Sequence, residues 1–169
     1  MPCELLLLRH AKSDWTQNGS DFDRPLNPRG ERDAARIGRW LRHQAALPDS
    51  LLCSPARRAA QTAHAVCALG GIALDGIRWD ERLYLASVGT LCQVIGELPD
   101  GCHRALVVGH NPGLEDLLLQ LVPTALSYRK DHKLLTTATL AWLDLAGSWS
   151  APEKASLREF VRARDLGDV

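Results

Sequence analysis

The hydrophobic positions of this chain fall into short apolar runs separated by stripes at helical spacing. The clearest runs are Leu5–Leu8 and Ala105–Val108, and a shorter one covers Leu51–Cys53. Apolar runs of this length between polar residues are typical of strands buried on both faces of a sheet. Ile77–Trp79 is a weaker strand candidate. The sequence therefore predicts at least three buried strands and a fourth, shorter one.

Between these runs, apolar residues recur every three or four positions, which predicts amphipathic helices. Asn27-Pro28 supplies an N-cap residue and a proline at the first helical position, so a helix is expected to begin there. Three more helices are predicted: after Ser54-Pro55 to about Leu69, from about Ser87, and over Leu114–Leu121. Strands that alternate with helices predict an α/β fold, a three-layer α/β/α sandwich with a mostly parallel central sheet.

Three further stretches complete the secondary-structure prediction. Residues 11–25 are polar and are expected to form a long loop over the end of the sheet, and loops of this length are often functional. Thr136–Leu145 is predicted to be a strand from its threonine and apolar content. Ser156–Arg164 fits a helix or an edge strand, and we favour a strand paired antiparallel with the preceding one.

Composition and charge narrow the class of protein. At 169 residues, with 46% apolar and 24% charged residues, the chain is expected to form one globular domain over residues 1–169. Its 20 basic and 20 acidic residues cancel, so nucleic acid and membrane surfaces are not predicted partners, and any anion site needs a local cluster. Five widely spaced cysteines without a CxxC motif predict reduced thiols. No signal peptide or membrane span is predicted, and we expect a cytoplasmic protein.

Polar, chemically active side chains follow three of the predicted strands. Arg9-His10 comes directly after Leu5–Leu8, Gly109-His110 comes after Ala105–Val108, and Arg57-Arg58 opens the helix that follows Leu51–Cys53. Because parallel strands end on the same side of a sheet, the two imidazoles are expected to lie close together. Adjacent helical residues point about 100° apart, so one of the two arginines is expected to reach the pocket. The residues alone do not decide which.

This set of groups is suited to a phosphoryl group. Guanidinium groups and a helix N-terminus bind dianions, and a histidine can act as a nucleophile. Because the arginines supply positive charge, no metal or other cofactor is required for phosphoryl transfer. A different hypothesis is a metal-dependent hydrolase with His10, His110 and Glu81 as ligands.

Three motifs in this order resemble the histidine phosphatase superfamily: LRHA at 8–11, SPARRAAQT at 54–62 and VGHNP at 108–112. The segment DRPLNPRG at 23–30, the short length and the lack of a large cap insertion are similar to its SixA-type phosphohistidine phosphatase branch. The resemblance covers nearly the whole chain and implies a phosphoglycerate mutase-like fold. One departure is Ala11, which replaces the glycine of the Arg-His-Gly signature.

The resemblance also implies a role for each matching residue. His10 would attack phosphorus, while Arg9, Arg58 (rather than Arg57) and His110 hold the phosphoryl oxygens. The other implied site residues are Arg24, Ser13 and Asn111 near the phosphate, and Glu81 as a possible proton donor. Glu81 has the alternative of being a loop carboxylate paired with Arg78 or Arg82.

The activity expected from these residues is removal of phosphate from phosphohistidine on a protein such as a histidine phosphotransfer domain. A small-molecule phosphomonoesterase of the same superfamily is the alternative enzyme, and a catalytically silent phosphate- or phosphoprotein-binding module is the alternative of another class. Lys12 and the run Arg129–Lys133 are expected either to be solvated or to border the cleft and contact an acidic or protein substrate. Trp15 is expected to line the pocket mouth or to pack in the core.

Overall fold

The computed structural model describes residues 2–167, in which six strands form one sheet flanked by helices. The strands are β1 (Cys3–Arg9), β2 (Ser50–Cys53), β3 (Ile77–Trp79), β4 (Arg104–Gly109), β5 (Thr139–Ala146) and β6 (Lys154–Arg162). The four α-helices are α1 (Pro28–His43), α2 (Arg57–Gly70), α3 (Val88–Gly96) and α4 (Gly113–Leu121). The strand order is β3-β2-β4-β1-β5-β6. The first four strands in this order are parallel, and β5 and β6 are antiparallel to their neighbours.

The alternation of side chains along β1 divides the core into two layers. Leu5 and Leu7 pack on one face of the sheet with residues of α3 and α4, whereas Leu6 and Leu8 pack on the other face with residues of α1 and α2. All four leucines are fully buried, as expected for a strand covered on both faces. The predicted three-layer α/β/α sandwich with a mostly parallel sheet is confirmed.

Helix α1 begins where the sequence predicts and packs closely on the segment that follows β1. The Asn27 side chain accepts a hydrogen bond from the Gly30 amide at 2.8 Å, which caps the helix. A Cβ atom on Gly30 would lie 2.1 Å from the Lys12 carbonyl oxygen. Glycine at this position therefore allows the helix backbone to approach the end of β1.

The two C-terminal strands differ from prediction in their bounds. β5 begins at Thr139 rather than Thr136, because Ala138 has a left-handed backbone conformation (φ 52°) and residues 136–139 form a turn. The ambiguous segment Ser156–Arg164 is a strand, as favoured, but it covers Lys154–Arg162 and pairs antiparallel with β5. Its last two predicted residues belong to a short 3-10 turn.

The five cysteines are all free, and three of them are buried. Within residues 2–167, none of the helices has both the length and the apolar content needed to cross a membrane.

Candidate active site

The ends of three neighbouring strands form the centre of the site. β4 lies between β1 and β2, so that Arg9 pairs in register with Gly109 and Cys53 with Val108. The His10 amide donates to the Gly109 carbonyl oxygen at 3.0 Å, which holds the end of β1 against the end of β4. The rings of His10 and His110 consequently lie 5.2 Å apart between centroids. The expectation that the two imidazoles meet is confirmed.

His10 is buried and presents a nitrogen lone pair to the cluster. Its Nδ1 lies 2.8 Å from the Ala11 carbonyl oxygen, and because a carbonyl can only accept, Nδ1 carries the proton. The Arg58 Nε donates to His10 Nε2 at 3.3 Å, which requires a lone pair there. Burial, with repulsion from the nearby cationic groups, lowers the pKa of His10 to about 3. The imidazole is therefore neutral at physiological pH, and its Nε2 can attack an electrophile that displaces the Arg58 hydrogen bond.

His110 is also buried and has the opposite tautomer. Its Nδ1 accepts from Arg58 Nη2 at 3.3 Å, since a guanidinium can only donate. The other ring nitrogen, Nε2, consequently carries the proton and donates to the Ser54 hydroxyl at 2.8 Å. Burial and the neighbouring Arg58 charge lower the pKa of His110 to about 4. It is thus a neutral group beside the arginine.

Arg58 lies at the centre of the cluster, whereas Arg57 is exposed. The guanidinium contacts both imidazoles, and its side chain is only 2% exposed. Thr62, one turn further along α2, donates to the Arg58 carbonyl at 2.7 Å and accepts from the Ala11 amide at 3.0 Å. This hydroxyl joins the first turn of α2 to the end of β1. The structure thus brings together His10, Arg58 and His110, as the sequence predicts.

Arg9 borders the cluster and is oriented by the segment that follows α4. Its Nη1 donates to the Leu135 carbonyl at 2.9 Å, and its Nε is buried with no hydrogen-bond partner. Asn111 Nδ2 donates to the same carbonyl at 2.8 Å. The Asn111 amide therefore positions the segment that holds Arg9, and its contact with a phosphate stays a prediction.

Asp21 is a member of the site that the sequence reasoning missed. Its carboxylate accepts from Arg58 Nη2 at 3.0 Å, from Arg24 Nη2 at 2.9 Å and from the Tyr84 hydroxyl at 2.6 Å. Its backbone carbonyl also accepts from Arg58 Nη1 at 2.6 Å. The Tyr84 hydrogen bond and the two arginines lower the pKa of Asp21, so it is ionised at neutral pH. Its carboxylate thus occupies one guanidinium donor of Arg58 and one of Arg24.

Arg24 lies near the cluster through this carboxylate. Its guanidinium stacks on the Trp15 ring at 3.4 Å from the ring centroid, and its Nε and Nη1 are buried without a partner. Trp15 is 73% exposed, so it covers Arg24 at the surface and does not pack in the core. Ser13 is buried, and its backbone forms an isolated antiparallel bridge with Leu26.

Glu81 is not among the hydrogen-bond or ion-pair partners described for His10, Arg58 and His110. It is exposed at the start of a short 3-10 turn. The ion pairs expected between it and Arg78 or Arg82 are formed instead by Asp80 and Glu97, which both arginines contact. A proton-donor role for Glu81 stays a prediction.

A metal-dependent hydrolase would need a group of ligand side chains close together. Across residues 2–167, no group of three or more His, Cys, Asp or Glu side chains is arranged to hold a metal ion. His10, His110 and Glu81 therefore do not form a ligand triad.

Known proteins resemble this chain in sequence and in fold. Residues 5–89 match the sequence model of the histidine phosphatase superfamily (branch 1). An uncharacterized protein of Mycobacterium tuberculosis is 38% identical over 152 residues, which cover 86% of this chain and 92% of that protein. A candidate phosphohistidine phosphatase SixA from Nakamurella multipartitia has a TM-score of 0.80 at 31% identity, covering 96% of each chain. A second, from Agrobacterium tumefaciens, has a TM-score of 0.79 at 29% identity, covering 95% of this chain and 98% of that one.

Proposed function

The chain belongs to the histidine phosphatase superfamily, and we propose that it removes the phosphoryl group from phosphohistidine on a signalling or phosphotransfer protein. The reaction proceeds through a phosphohistidine intermediate on His10. The observation that carries this proposal is a neutral His10 whose Nε2 lone pair faces the buried guanidinium of Arg58. A buried nucleophile beside fixed positive charge is what in-line phosphoryl transfer needs.

In the first step, His10 Nε2 attacks phosphorus and a new N–P bond forms as the N–P bond to the substrate imidazole breaks. The leaving imidazole takes a proton from solvent. Arg58 and Arg9 would donate to the equatorial oxygens, on which charge is spread in the transition state. His110 would donate to the remaining oxygen after turning its Nε2–H from the Ser54 hydroxyl to the phosphoryl group. In the second step, water attacks the phosphorus on His10, inorganic phosphate leaves, and the neutral imidazole is restored.

The charge state of the acids near the cluster supports phosphohistidine over an alkyl phosphoester as substrate. An alkoxide leaving group needs a proton donor close to the breaking bond. Asp21, the carboxyl that contacts Arg58, has a lowered pKa and is ionised at neutral pH, while Glu81 has no described contact with the cluster. An imidazole leaving group needs less help, so this site suits it better.

A turnover comparison tests the proposal. Wild type and His10→Ala are assayed on a histidine-phosphorylated phosphotransfer domain and on a panel of small phosphoesters, with His103→Ala as control. His103 is exposed just before β4 begins, at the opposite end of that strand from His110. We expect wild type and His103→Ala to prefer the phosphoprotein and His10→Ala to be inactive. Preference for a small phosphoester would favour the phosphomonoesterase alternative, and inactivity of wild type on every substrate would favour a silent binding module.

A further inference from the structure

A strongly basic cleft of about 260 Å³ opens beside Arg9. Six cationic side chains contribute to its lining: Arg9, Lys12, Arg29, Lys130, Lys133 and Arg164. The chain as a whole has equal numbers of basic and acidic residues, yet three of its four lysines line this one cleft. Positive charge is therefore concentrated next to the candidate active site.

Little of this charge is neutralised within the protein. Arg29 contacts the buried Asp33 at 3.6 Å, but that carboxylate is also paired with Arg36 at 3.1 Å. Arg164 contacts Asp165 at 4.0 Å, and an exposed pair of this kind contributes little. Among residues 2–167, no ion pair is described for any of the three lysines, all of which are exposed. Asp131 is the one carboxylate in the lining. The cleft therefore keeps a positive field that can act on a partner.

The lysines on one wall of the cleft are held by a tight turn. Lys130 and Lys133 exchange backbone hydrogen bonds of 3.0 and 2.9 Å, and the two residues between them have positive φ. A two-residue turn of this kind places the flanking side chains directly opposite each other on one side of the ribbon. Opposed like charges destabilise such a ribbon, and an anion bound between them would remove that cost.

The same segment connects the cleft to the active site. Leu135, two residues after the turn, accepts from Arg9 Nη1 through its carbonyl and donates from its amide to Glu115 Oε2 at 3.0 Å. The Arg9 guanidinium thus borders both the cluster around His10 and the basic cleft. A substrate with its phosphoryl group at His10 would have its neighbouring surface over the lysines.

We propose that this basic cleft docks an acidic segment of the phosphoprotein substrate, next to the phosphohistidine that is hydrolysed; the inference rests on the proposed function. The exposed lysines come from separate segments and supply flexible point charges rather than a buried, convergent set of donors. Such groups suit several carboxylates on a protein surface better than the second phosphate of a small substrate. Association with the phosphoprotein is therefore steered by charge and weakened by salt.

The test is charge reversal at the turn, Lys130→Glu with Lys133→Glu, alongside the neutral pair Lys130→Gln with Lys133→Gln. Lys154→Glu is the matched control, because Lys154 is the remaining lysine and lies at the exposed start of β6. Each variant is assayed at low and high salt on an acidic histidine-phosphorylated phosphotransfer domain and on free phosphohistidine. Thermal melting checks that each variant folds.

At low salt we expect kcat/KM of the reversal pair on the phosphoprotein to fall about tenfold, because KM rises while kcat stays the same. The neutral pair should lose less, and activity on free phosphohistidine should not change. Suppose that wild type is active on the phosphoprotein. If the reversal pair then loses activity equally on both substrates, or on neither, the docking surface is overturned and the proposed function stands. Wild type that fails on the phosphoprotein would overturn both. Stronger competition by an oligonucleotide than by the unphosphorylated acidic domain would assign the cleft to nucleic acid instead.

Discussion

Replacing Asp21 with asparagine is expected to tighten binding of phosphate-like anions while it weakens the fold. The Asp21 carboxylate contacts the guanidinium groups of Arg58 and Arg24 and the hydroxyl of Tyr84. A phosphoryl group that uses the same donors must displace this carboxylate. The free energy of the displaced contacts is therefore subtracted from the free energy of anion binding. Asparagine keeps the size of the side chain and removes its charge.

The size of the effect follows from the exposure of the groups. The Asp21 side chain is 45% exposed, so each ion pair contributes about 0.2–1 kcal/mol, as solvent-screened pairs do. Two such pairs give about 1 kcal/mol, which corresponds to roughly a fivefold change in a binding constant. The same loss leaves the charge of buried Arg58 less compensated and should lower the melting temperature by about 2–4 °C.

The assay measures inhibition by tungstate and by inorganic phosphate, together with thermal melting, for wild type and Asp21→Asn. Asp23→Asn is the matched control, because Asp23 carries the same charge in the same loop and its described side-chain contact is with the Ser20 hydroxyl. We expect the inhibition constant to fall about fivefold for Asp21→Asn and to stay constant for Asp23→Asn. An unchanged or higher inhibition constant in a folded Asp21→Asn protein would show that the carboxylate does not compete with the anion. The carboxylate would then orient the arginines without competing for them.

Two more predictions concern stability. Because burial lowers the pKa of His10 to about 3 and of His110 to about 4, the unfolded chain binds more protons than the folded chain below about pH 6.5. The free energy of unfolding should therefore fall on acidification from pH 6.5 to about 4.5, by about 1.4 kcal/mol per pH unit for each histidine. Urea denaturation across this pH range measures the free energy of unfolding. If that free energy fell as steeply with acidification in His110→Gln as in wild type, the buried histidine would not be the cause. Gly30→Ala should lower the free energy of unfolding by about 1–3 kcal/mol, because its Cβ would meet the Lys12 carbonyl. The control Gly76→Ala, which meets no atom within 4 Å, should cost less, and equal losses would show that close packing is not the cause.

The layers of the fold and the centre of the site could be predicted because each has a local signal. Runs such as Leu5–Leu8 bury both faces of a strand and end abruptly in polar residues, so the ends of the strands are visible in the sequence. Parallel pairing then brings His10 and His110 to one edge of the sheet. The choice between Arg57 and Arg58 needed the family motif, because helix geometry alone separates their directions without saying which points inward.

The rest depends on tertiary contacts that leave no mark in the sequence. Asp21 lies in a polar loop, and nothing in its sequence surroundings distinguishes it from Asp14 or Asp23. It contacts Arg58 because the folded loop places it next to the first turn of α2. The predicted start of β5 was wrong because the left-handed backbone at Ala138 is set by packing and not by β propensity.

Trapping the phosphorylated enzyme tests most directly whether His10 is the nucleophile. A radiolabelled histidine-phosphorylated phosphotransfer domain is mixed with the protein, quenched in alkali within one turnover, and the label is located by peptide mapping. We expect an acid-labile, alkali-stable label on His10, present in His103→Ala and absent from His10→Ala. Label on another residue, or turnover without any labelled enzyme in rapid-quench samples, would contradict it.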